Sequence, residues 1–400
     1  MRLPDFTRLT SSLARLPLGF LAAVGIAAGL FWVYARYQQK PVPHVRRESA
    51  ELPAARPRDP GKYVRVLSID DGGMRSLLAL HCLDYMEKRS GKPASELFDI
   101  MVGTGSGAFV VAALSAPRTD GSPKFSAADL INEFPKVWAK TLDTPLLHPI
   151  LSMDGRLAPK YLTRQRQSVI QQFFGETRLG EALTVVILPA FSLTEQVPFL
   201  YASDMGKSTA PSSGNARSVT EAGDYFLSDA VCAATCNPAL FAPSWIADLS
   251  GQQKSLMTGA ETYASNPSLL ALGEALLRFP GQQCVIISLG SGVGAPPPAP
   301  DPRTGWSKFG APEEIVQAAS SASQLLTAQV LSTIHRFGAG PVAAYVRLDS
   351  SLPADTLPED DFSEKNISSL NALGKKLTTD KSATLDRTAD FLGASPEEIR

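Results

Sequence analysis

The sequence predicts an α/β fold with a mostly parallel central sheet, preceded by one N-terminal transmembrane helix. Short β-rich runs alternate with apolar helical stretches, which is typical of parallel sheets covered by helices on both faces. One uncharged stretch of twenty residues near the start has the length of a membrane-spanning helix. Charged residues make up 19% of the chain and hydrophobic residues 44%. This composition excludes a disordered protein, a coiled coil and a collagen-like fibre.

The charges divide at about residue 62. Residues 1–62 hold 10 Lys/Arg and 4 Asp/Glu, whereas residues 63–400 hold 28 and 35, so a leader of net charge +6 precedes a body of −7. The near-neutral total of −1 argues against a dedicated nucleic-acid binder, which needs a clustered basic surplus to neutralise phosphates. We therefore expect no nucleic-acid partner.

The leader is expected to anchor the chain in a membrane as a single-pass protein. Residues 16–35 carry no charge, and twenty helical residues span about 30 Å, the thickness of a hydrocarbon core. The stretch ends in bulky aromatic residues rather than the small residues of a signal-peptide cleavage site, which favours an uncleaved anchor. Residues 1–15 form a basic tail, and residues 36–62 a Pro- and Arg-rich linker. Positive charge is slightly greater downstream, which favours a cytoplasmic globular domain.

The body begins with a strand, a glycine turn and a helix. The β-rich run Val64–Ile69 leads into Asp70-Asp71-Gly72-Gly73-Met74-Arg75, and a helix is expected from Leu77 until Ser90-Gly91 breaks it. Glycines in such a turn let backbone amides approach a ligand, and a helix N-terminus favours negative charge. The unit is half of a parallel α/β motif.

A second strand–turn–helix unit contains the most specific local pattern. The strand Phe98–Val102 is followed by the turn Gly103-Thr104-Gly105-Ser106-Gly107 and by an apolar helix start. This is the layout of a nucleophile elbow, G-x-S-x-G, in which the middle residue projects from a strained turn. The middle residue here is Gly105, and Ser106 stands one place late.

Later segments continue the alternation of strands and helices. Further strands are expected at Val185–Phe191, Cys284–Leu289 and Val342–Leu348, and helices at Tyr225–Thr235 and Asn366–Leu377. Four cysteines do not make a disulfide framework, and no spaced set of histidines accompanies them as zinc ligands. We expect neither a metal nor a cofactor.

Several charged residues have simple structural interpretations. Asp70 is expected to cap the turn that follows it. Arg75 either binds a lipid phosphate or pairs with Asp70 or Asp99. The charged stretch from Glu359 to Lys381 is interpreted as a solvated helical face.

The sequence resembles the patatin-like phospholipase family, which are lipid acyl hydrolases with a Ser–Asp dyad. The resemblance runs from about Val64 to about Leu392, and six landmarks occur in family order. They are Asp70 with Gly72-Gly73-x-Arg75, Phe98-Asp99-Ile100-x-x-Gly103-Thr104-x-x-Gly107, Ala233–Phe241, Gly259-Ala260 with Asn266–Leu270, Ser288–Gly292 and Tyr345–Leu348. The resemblance implies a patatin-like three-layer domain over residues 63–395 and membrane lipid as a partner.

The departures from the family pattern fall on its chemistry. In the family, the elbow Ser attacks the ester carbonyl, the Asp takes its proton, and glycine amides bind the oxyanion. The nucleophile position here is Gly105, and the Asp position is Thr258, an alcohol that cannot act as a base near neutral pH. In the oxyanion loop Asp71 replaces a glycine, which places a carboxylate where negative charge must develop. The other oxyanion-loop and elbow positions are kept: Gly72, Gly73, Arg75, Gly103 and Gly107.

These observations leave three functional hypotheses. The first is a membrane-anchored family member with a degenerate dyad that binds lipid or a protein partner with little or no hydrolysis. The second is an active, non-standard hydrolase of the phospholipase A type that uses Ser106 as a fallback nucleophile. One place along the elbow turns the side chain by about 100°, so Ser106 is expected to miss the family's attack position. The third is a membrane scaffold or regulatory protein.

Overall fold

A nine-stranded sheet forms the centre of the described part of the chain. The computed structural model describes residues 61–153, 155, 157–205, 220–294, 312–338, 340–353 and 355–394, with residues 25, 29, 32–34 and 36 of a helix near the N-terminus. In chain order the strands are β1 (Tyr63–Ile69), β2 (Ile100–Gly103), β3 (Val185–Ser192), β4 (Val197–Ala202), β5 (Thr220–Ala222), β6 (Ser244–Ala247), β7 (Lys254–Gly259), β8 (Gln283–Leu289) and β9 (Val342–Leu348).

Five neighbouring strands, in the order β3-β2-β1-β8-β9, run parallel to one another. β4 pairs with one edge of β3 in antiparallel orientation and carries β5 beyond it. β2 pairs with β3 from Val185 to Ile187, whereas β7 pairs antiparallel with β3 from Ala190 to Ser192 and with β6. β7 therefore continues the sheet where β2 has ended, and its last residues lie at the carboxyl edge of β2.

Helices cover both faces of this sheet, which confirms the predicted α/β class with a central sheet. Two short 3-10 helices accompany them, at Gly73–Ser76 and Leu179–Glu181. The α-helices are α1 (Leu77–Ser90), α2 (Ala94–Leu97), α3 (Ser106–Ser115), α4 (Ala127–Thr141), α5 (His148–Ser152), α6 (Thr163–Phe174), α7 (Leu227–Ala234), α8 (Glu261–Ala264), α9 (Ser268–Arg278), α10 (Pro312–Arg336), α11 (Glu364–Asp380) and α12 (Ser382–Gly393).

Alternation along the strands divides the core into two layers. On β1, Val64 and Val66 belong to a smaller cluster under α9 and α10, whereas Leu67 and Ile69 belong to the larger cluster under α1, α3, α4 and α7. Successive side chains of a strand point to opposite faces, so a strand covered on both sides is apolar throughout. The predicted run Val64–Ile69 is largely apolar because both faces of β1 are covered, and its exceptions are Arg65 and Ser68.

The first strand–turn–helix unit forms as predicted. β1 ends at Ile69, and the 3-10 turn leads into α1. α1 ends where Ser90-Gly91 was expected to break it, because Gly91 adopts a left-handed conformation (φ 69°) and its N–H donates to the carbonyl of Glu87 at 2.9 Å. A glycine in this conformation is a common helix C-cap.

Two expected contacts do not form, the Asp70 cap and the pairing of Arg75 with Asp70 or Asp99, whereas binding of a lipid phosphate by Arg75 stays a prediction. Asp70 does not cap the turn, because its carboxylate accepts two hydrogen bonds from the Arg347 guanidinium, at 2.9 and 2.6 Å. Arg75 pairs with neither Asp70 nor Asp99; its partner is Glu359, at 2.6 Å. Asp99 instead pairs with Arg65 at 2.7 Å. These partners are 34 to 284 residues apart in sequence, beyond the reach of local patterns.

The predicted N-terminal segments lie largely outside the described residues. The tail 1–15 and nearly all of the linker 36–62 fall there, and only five residues of the anchor 16–35 are described, in helical conformation. Within the described residues no helix combines the length and the apolar character needed to cross a bilayer. The anchor, its orientation and the linker therefore stay predictions.

Candidate functional site

The turn after β2 has the strained backbone of a nucleophile elbow. Gly105 adopts φ 54° and ψ −124°, a conformation that is essentially restricted to glycine, and α3 begins at the next residue. Gly107 packs against the end of β1, so closely that an added Cβ would overlap the carbonyl groups of Ile69 and Asp70. These two glycines explain why the turn is sharp and why it sits directly beside the loop after β1.

The loop after β1 is held by hydrogen bonds on its backbone amides. The N–H of Asp71 donates to the carbonyl of Ser265 at 3.0 Å, and that of Met74 donates to the carbonyl of Glu359 at 2.8 Å. The N–H of Gly72 donates to the Ser106 hydroxyl at 3.2 Å. An oxyanion hole needs donors aimed at an empty position, and these three donors are already engaged.

The side chain of Asp71 occupies the position that an elbow nucleophile would need. Its Oδ1 accepts hydrogen bonds from the backbone N–H of Ser106 at 3.0 Å and from the Ser106 hydroxyl at 3.2 Å. An added Cβ on Gly105 would overlap this carboxyl group. Asp71 and Gly105 are therefore sterically coupled: the carboxyl group fits because residue 105 has no side chain. The position at the N-terminus of α3 also favours a negative charge.

Ser106 is fully buried and its hydroxyl is saturated with partners. Besides Asp71 and the amide of Gly72, its Oγ lies 2.7 Å from the Ser76 hydroxyl. It is thus directed back into the loop after β1. That Ser106 misses the family's attack position stays a prediction; its hydroxyl does contact the Asp71 carboxylate.

Thr258 lies on β7, beyond the carboxyl end of β2. It pairs with Phe191 of β3, and its hydroxyl donates to the carbonyl of Cys236 at 3.0 Å. The next residue, Gly259, also donates its N–H to that carbonyl, at 2.8 Å. Asp71, Gly105 and Ser106 line one cavity, whereas Thr258 is held by backbone contacts of β7 and is not part of that cavity wall.

A small cavity above the elbow is closed by a distant segment, residues 355–363. Glu359 is held by Arg75, and Asp360 is held by Lys160 at 2.6 Å and by the Tyr161 hydroxyl at 2.9 Å. The cavity offers about 10 Å³ to the centre of a water molecule, which is room for about one. Its walls include these residues: Asp71, Gly105, Ser106, Trp138, Phe241, Glu261, Glu359 and Asp360.

The prediction of a solvated face is thus wrong for the start of the stretch Glu359–Lys381. Glu359 and Asp360 form part of the cavity wall, and α11 begins only at Glu364. The wall also contains Glu261, which the sequence motifs did not predict as a site residue. The available signal was a carboxylate two residues after Gly259.

Glu261 is the unusual ionisable group of this cavity. It is buried, and neither carboxyl oxygen is hydrogen-bonded to another described residue. Burial, with the nearby Asp71 as a second cause, raises the pKa of Glu261 well above its usual range. The group is therefore held in its neutral, protonated form at pH values where an exposed glutamate is charged.

The acids of the cavity do not make a metal site. Across the described ranges, no group of three or more His, Cys, Asp or Glu side chains is arranged to hold a metal ion. The four cysteines are unpaired and buried, as expected for structural thiols. The arrangement can hold a proton on Glu261 and donate backbone hydrogen bonds within the loop after β1.

Comparison with known proteins places this geometry in a family. The profile of the Patatin-like phospholipase family matches residues 67–266. Patatin-like protein 1 from Arabidopsis thaliana is 28% identical over 233 residues, 54% of this chain and 53% of that protein. Patatin-like protein 2 from the same plant is 26% identical over 357 residues, 79% of this chain and 83% of that protein. Patatin-05 from Solanum tuberosum is 25% identical, covering 79% of this chain and 84% of its own length.

A solved structure gives a weaker likeness. VipD from Legionella pneumophila aligns with 9% identity and a TM-score of 0.33, covering 82% of this chain and 67% of that one, and this level supports no inference. The parallel sheet, the strained elbow and the adjoining loop define the scaffold of an α/β acyl hydrolase. The chain belongs to the patatin-like phospholipase family.

The steric coupling of Asp71 and Gly105 predicts a non-additive pair of substitutions. Gly105→Ser alone is expected to cost about 1–3 kcal/mol more than the backbone strain, because the new Cβ displaces the Asp71 carboxyl group. In an Asp71→Gly background that excess should disappear. Urea unfolding of the full chain, read as a double-mutant cycle, measures the coupling.

Gly175 supplies the matched control for this cycle. Its backbone angles, φ 65° and ψ −138°, are close to those of Gly105, and nothing lies within 4 Å of an added Cβ. Gly175→Ser should cost the backbone strain alone and should be additive with Asp71→Gly. Equal costs at the two glycines, with no coupling to Asp71, would contradict the overlap.

The buried Glu261 predicts a pH dependence of stability. Because its pKa is raised in the folded state, the folded protein binds more protons than the unfolded chain above the usual value of 4.5, so stability falls as pH rises. Glu261→Gln should remove this loss and raise the urea midpoint at about pH 8 relative to wild type, with little change at about pH 4.5. The control is Glu96→Gln at an exposed position of α2. A gain that is the same at both pH values would refute the prediction.

Proposed function

We propose that this protein is a membrane-associated member of the patatin-like phospholipase family that binds lipid with little or no hydrolysis. The single observation that carries the proposal is the Asp71 carboxyl group lying where the elbow nucleophile would stand, next to Gly105. A reaction that develops an oxyanion at this place would meet a carboxylate instead of free amide donors. Thr258 at the Asp position also supports little or no hydrolysis, because its hydroxyl donates to a carbonyl and is not a carboxylate that could accept the proton of a nucleophile.

The closed cavity also supports binding without turnover. Small-molecule sites usually measure about 300–1,000 Å³, whereas this cavity admits about one water molecule. A phospholipid ester could reach Ser106 only after the segment 355–363 had moved away from Arg75, Lys160 and Tyr161. The lipid of the proposal is therefore expected at the protein surface rather than at the elbow.

One observation favours a second candidate, an active hydrolase that uses Ser106. The Asp71 carboxyl oxygen lies 3.2 Å from the Ser106 hydroxyl, which is within reach for a general base. The hydroxyl is fully buried and also bonded to Ser76, and the Gly72 amide that could bind an oxyanion donates to Ser106 itself. These contacts make the second candidate the weaker one.

The primary test is loss and recovery of esterase activity. The wild-type chain should hydrolyse phosphatidylcholine and p-nitrophenyl esters no faster than a protein-free control. The triple variant Asp71→Gly, Gly105→Ser and Thr258→Asp restores the family's residues and should exceed wild type by at least about 100-fold, because loss of a serine nucleophile alone can cost about a millionfold. The matched control carries Asp71→Gly and Thr258→Asp but keeps Gly105, and it should stay inactive.

Wild-type turnover that co-purifies with the protein would overturn the proposal of silenced hydrolysis. Activity of the control variant equal to that of the triple variant would show that Gly105→Ser supplies no nucleophile. A folded triple variant without activity would assign the block to the closed cavity rather than to the three positions.

A fluorophosphonate probe separates the two candidates directly. The first candidate predicts no labelling of the wild-type chain, because the hydroxyl of Ser106 is fully buried and the Gly72 amide beside it donates to Ser106 itself. Labelling of wild type that is lost in Ser106→Ala would establish the second candidate. Ser203→Ala is the control, since Ser203 is another fully buried serine, remote in sequence from the elbow.

A further inference from the structure

A short apolar segment, residues 144–153, exposes large hydrophobic side chains to solvent. Leu146 is 94% exposed and Ile150 72% exposed. The other large apolar side chains exposed in the segment are Leu147, Leu151 and Met153. No residue from 144 to 153 is Asp, Glu, Lys or Arg. Monomeric soluble proteins rarely expose such a contiguous group, which marks an interaction surface.

The segment is folded with its polar groups inward. His148 and Ser152, one helical turn apart, are buried, and the imidazole Nε2 of His148 lies 3.1 Å from the carbonyl oxygen of Pro159. The N–H of Leu151 donates to Leu147 at 3.0 Å, and that of His148 donates to Pro145 at 2.8 Å. The segment thus forms backbone hydrogen bonds within itself while its apolar side chains point outward. A backbone that enters a lipid phase needs this arrangement, because an unpaired amide there is costly.

Both ends of the segment connect to the candidate site. α4, which precedes it, contributes Trp138 to the cavity wall. After the segment come Lys160 and Tyr161, which hold Asp360 of the closing segment, and the Tyr161 ring lies 5.8 Å from that of Phe241. A lipid surface that contacts residues 144–153 would therefore lie at the side of the molecule from which the elbow is covered.

We infer that the apolar segment 144–153 docks into a phospholipid bilayer, with Leu146, Leu147 and Ile150 among the acyl chains. The inference rests on the proposed function and names the surface that contacts the lipid. The absence of charged side chains from the segment distinguishes this contact from electrostatic adsorption to anionic headgroups. The occupant is accordingly the apolar part of any fluid bilayer, zwitterionic as well as anionic.

A site-specific fluorophore tests the inference in the full chain. Because the four native cysteines are buried, a single Ile150→Cys can be labelled with an environment-sensitive dye. Vesicles of phosphatidylcholine should shift its emission to the blue, and the shift should persist in about 1 M salt, where charges are screened within about 3 Å. Leu147→Asp in the same labelled chain should raise the lipid needed for half the shift by about tenfold or more.

Leu277 provides the matched control position. It is also 72% exposed, and it lies on α9, which packs on the opposite face of the sheet from α4. A dye on Leu277→Cys should not respond to vesicles, and Leu277→Asp should leave the response of the labelled Ile150→Cys chain unchanged. These controls separate docking of the segment from any attachment through residues 1–60.

Four results would overturn the inference. They are no shift at position 150, an equal shift at position 277, a shift confined to anionic vesicles and lost in salt, and blue emission before lipid is added. Blue emission without lipid would show that protein covers the segment. If the blue shift grows with protein concentration, the occupant is a second copy of the chain; if it does not, the occupant is the chain's own N-terminal residues. If the vesicle experiment fails, the esterase experiment still tests the proposed function. If the wild-type chain hydrolyses esters, the proposal of little or no hydrolysis is overturned, but the result on bilayer docking is unchanged.

Discussion

The contact between the Asp71 carboxyl group and the elbow is the constraint on which the rest of the site depends. It joins the loop after β1 to the N-terminus of α3 through the amide and hydroxyl of Ser106. It needs the empty volume at Gly105, and it draws the Ser106 hydroxyl toward the Gly72 amide. One carboxyl group thus fills the nucleophile position, engages the fallback nucleophile and lies beside a donor that an oxyanion would need.

Backbone packing explains why family glycines persist beside a changed residue at the nucleophile position. Gly107 allows the elbow to approach the end of β1, and Gly105 adopts a backbone conformation that glycine tolerates best. Both requirements come from the packing of two parallel strands and the helix between them. They remain in force whatever group stands at the nucleophile position, so glycines of a motif report the scaffold and not the reaction.

Much of the fold could be predicted from local patterns. The run Val64–Ile69 was recognisable because its strand is buried on both faces, and the end of α1 because Gly91 is a helix C-cap. The sharp turn at Gly105 could also be predicted, because the spacing of its glycines matches the nucleophile-elbow motif, whose backbone conformation is known. Each of these features is determined by residues that are neighbours in sequence.

The partners across the site could not be predicted in this way. Asp70 meets Arg347 and Arg75 meets Glu359, over separations of 277 and 284 residues, and no periodicity links such positions. The expectation of a capping role for Asp70 failed because its buried carboxylate gains more from charge-assisted hydrogen bonds to a guanidinium than from bonds to neutral backbone amides. The interpretation of Glu359 as solvated failed because the composition of a stretch does not show which of its residues are buried. Only the first two residues, Glu359 and Asp360, line the cavity.

Several carboxyl groups line the cavity beside the elbow, and together they bear on the proposal of little or no hydrolysis. Ester hydrolysis at an elbow places negative charge near the loop after β1, and a favourable site would supply fixed positive dipoles there. Here the cavity wall carries Asp71, Glu261 and Glu359, and Arg75 is already paired with Glu359. Glu261 remains in the wall by keeping its proton, as the upward shift of its pKa indicates. A further negative charge would have to form beside Glu261 and Glu359, two carboxyl groups whose pKa values burial raises, and such a charge would be disfavoured for the same reason.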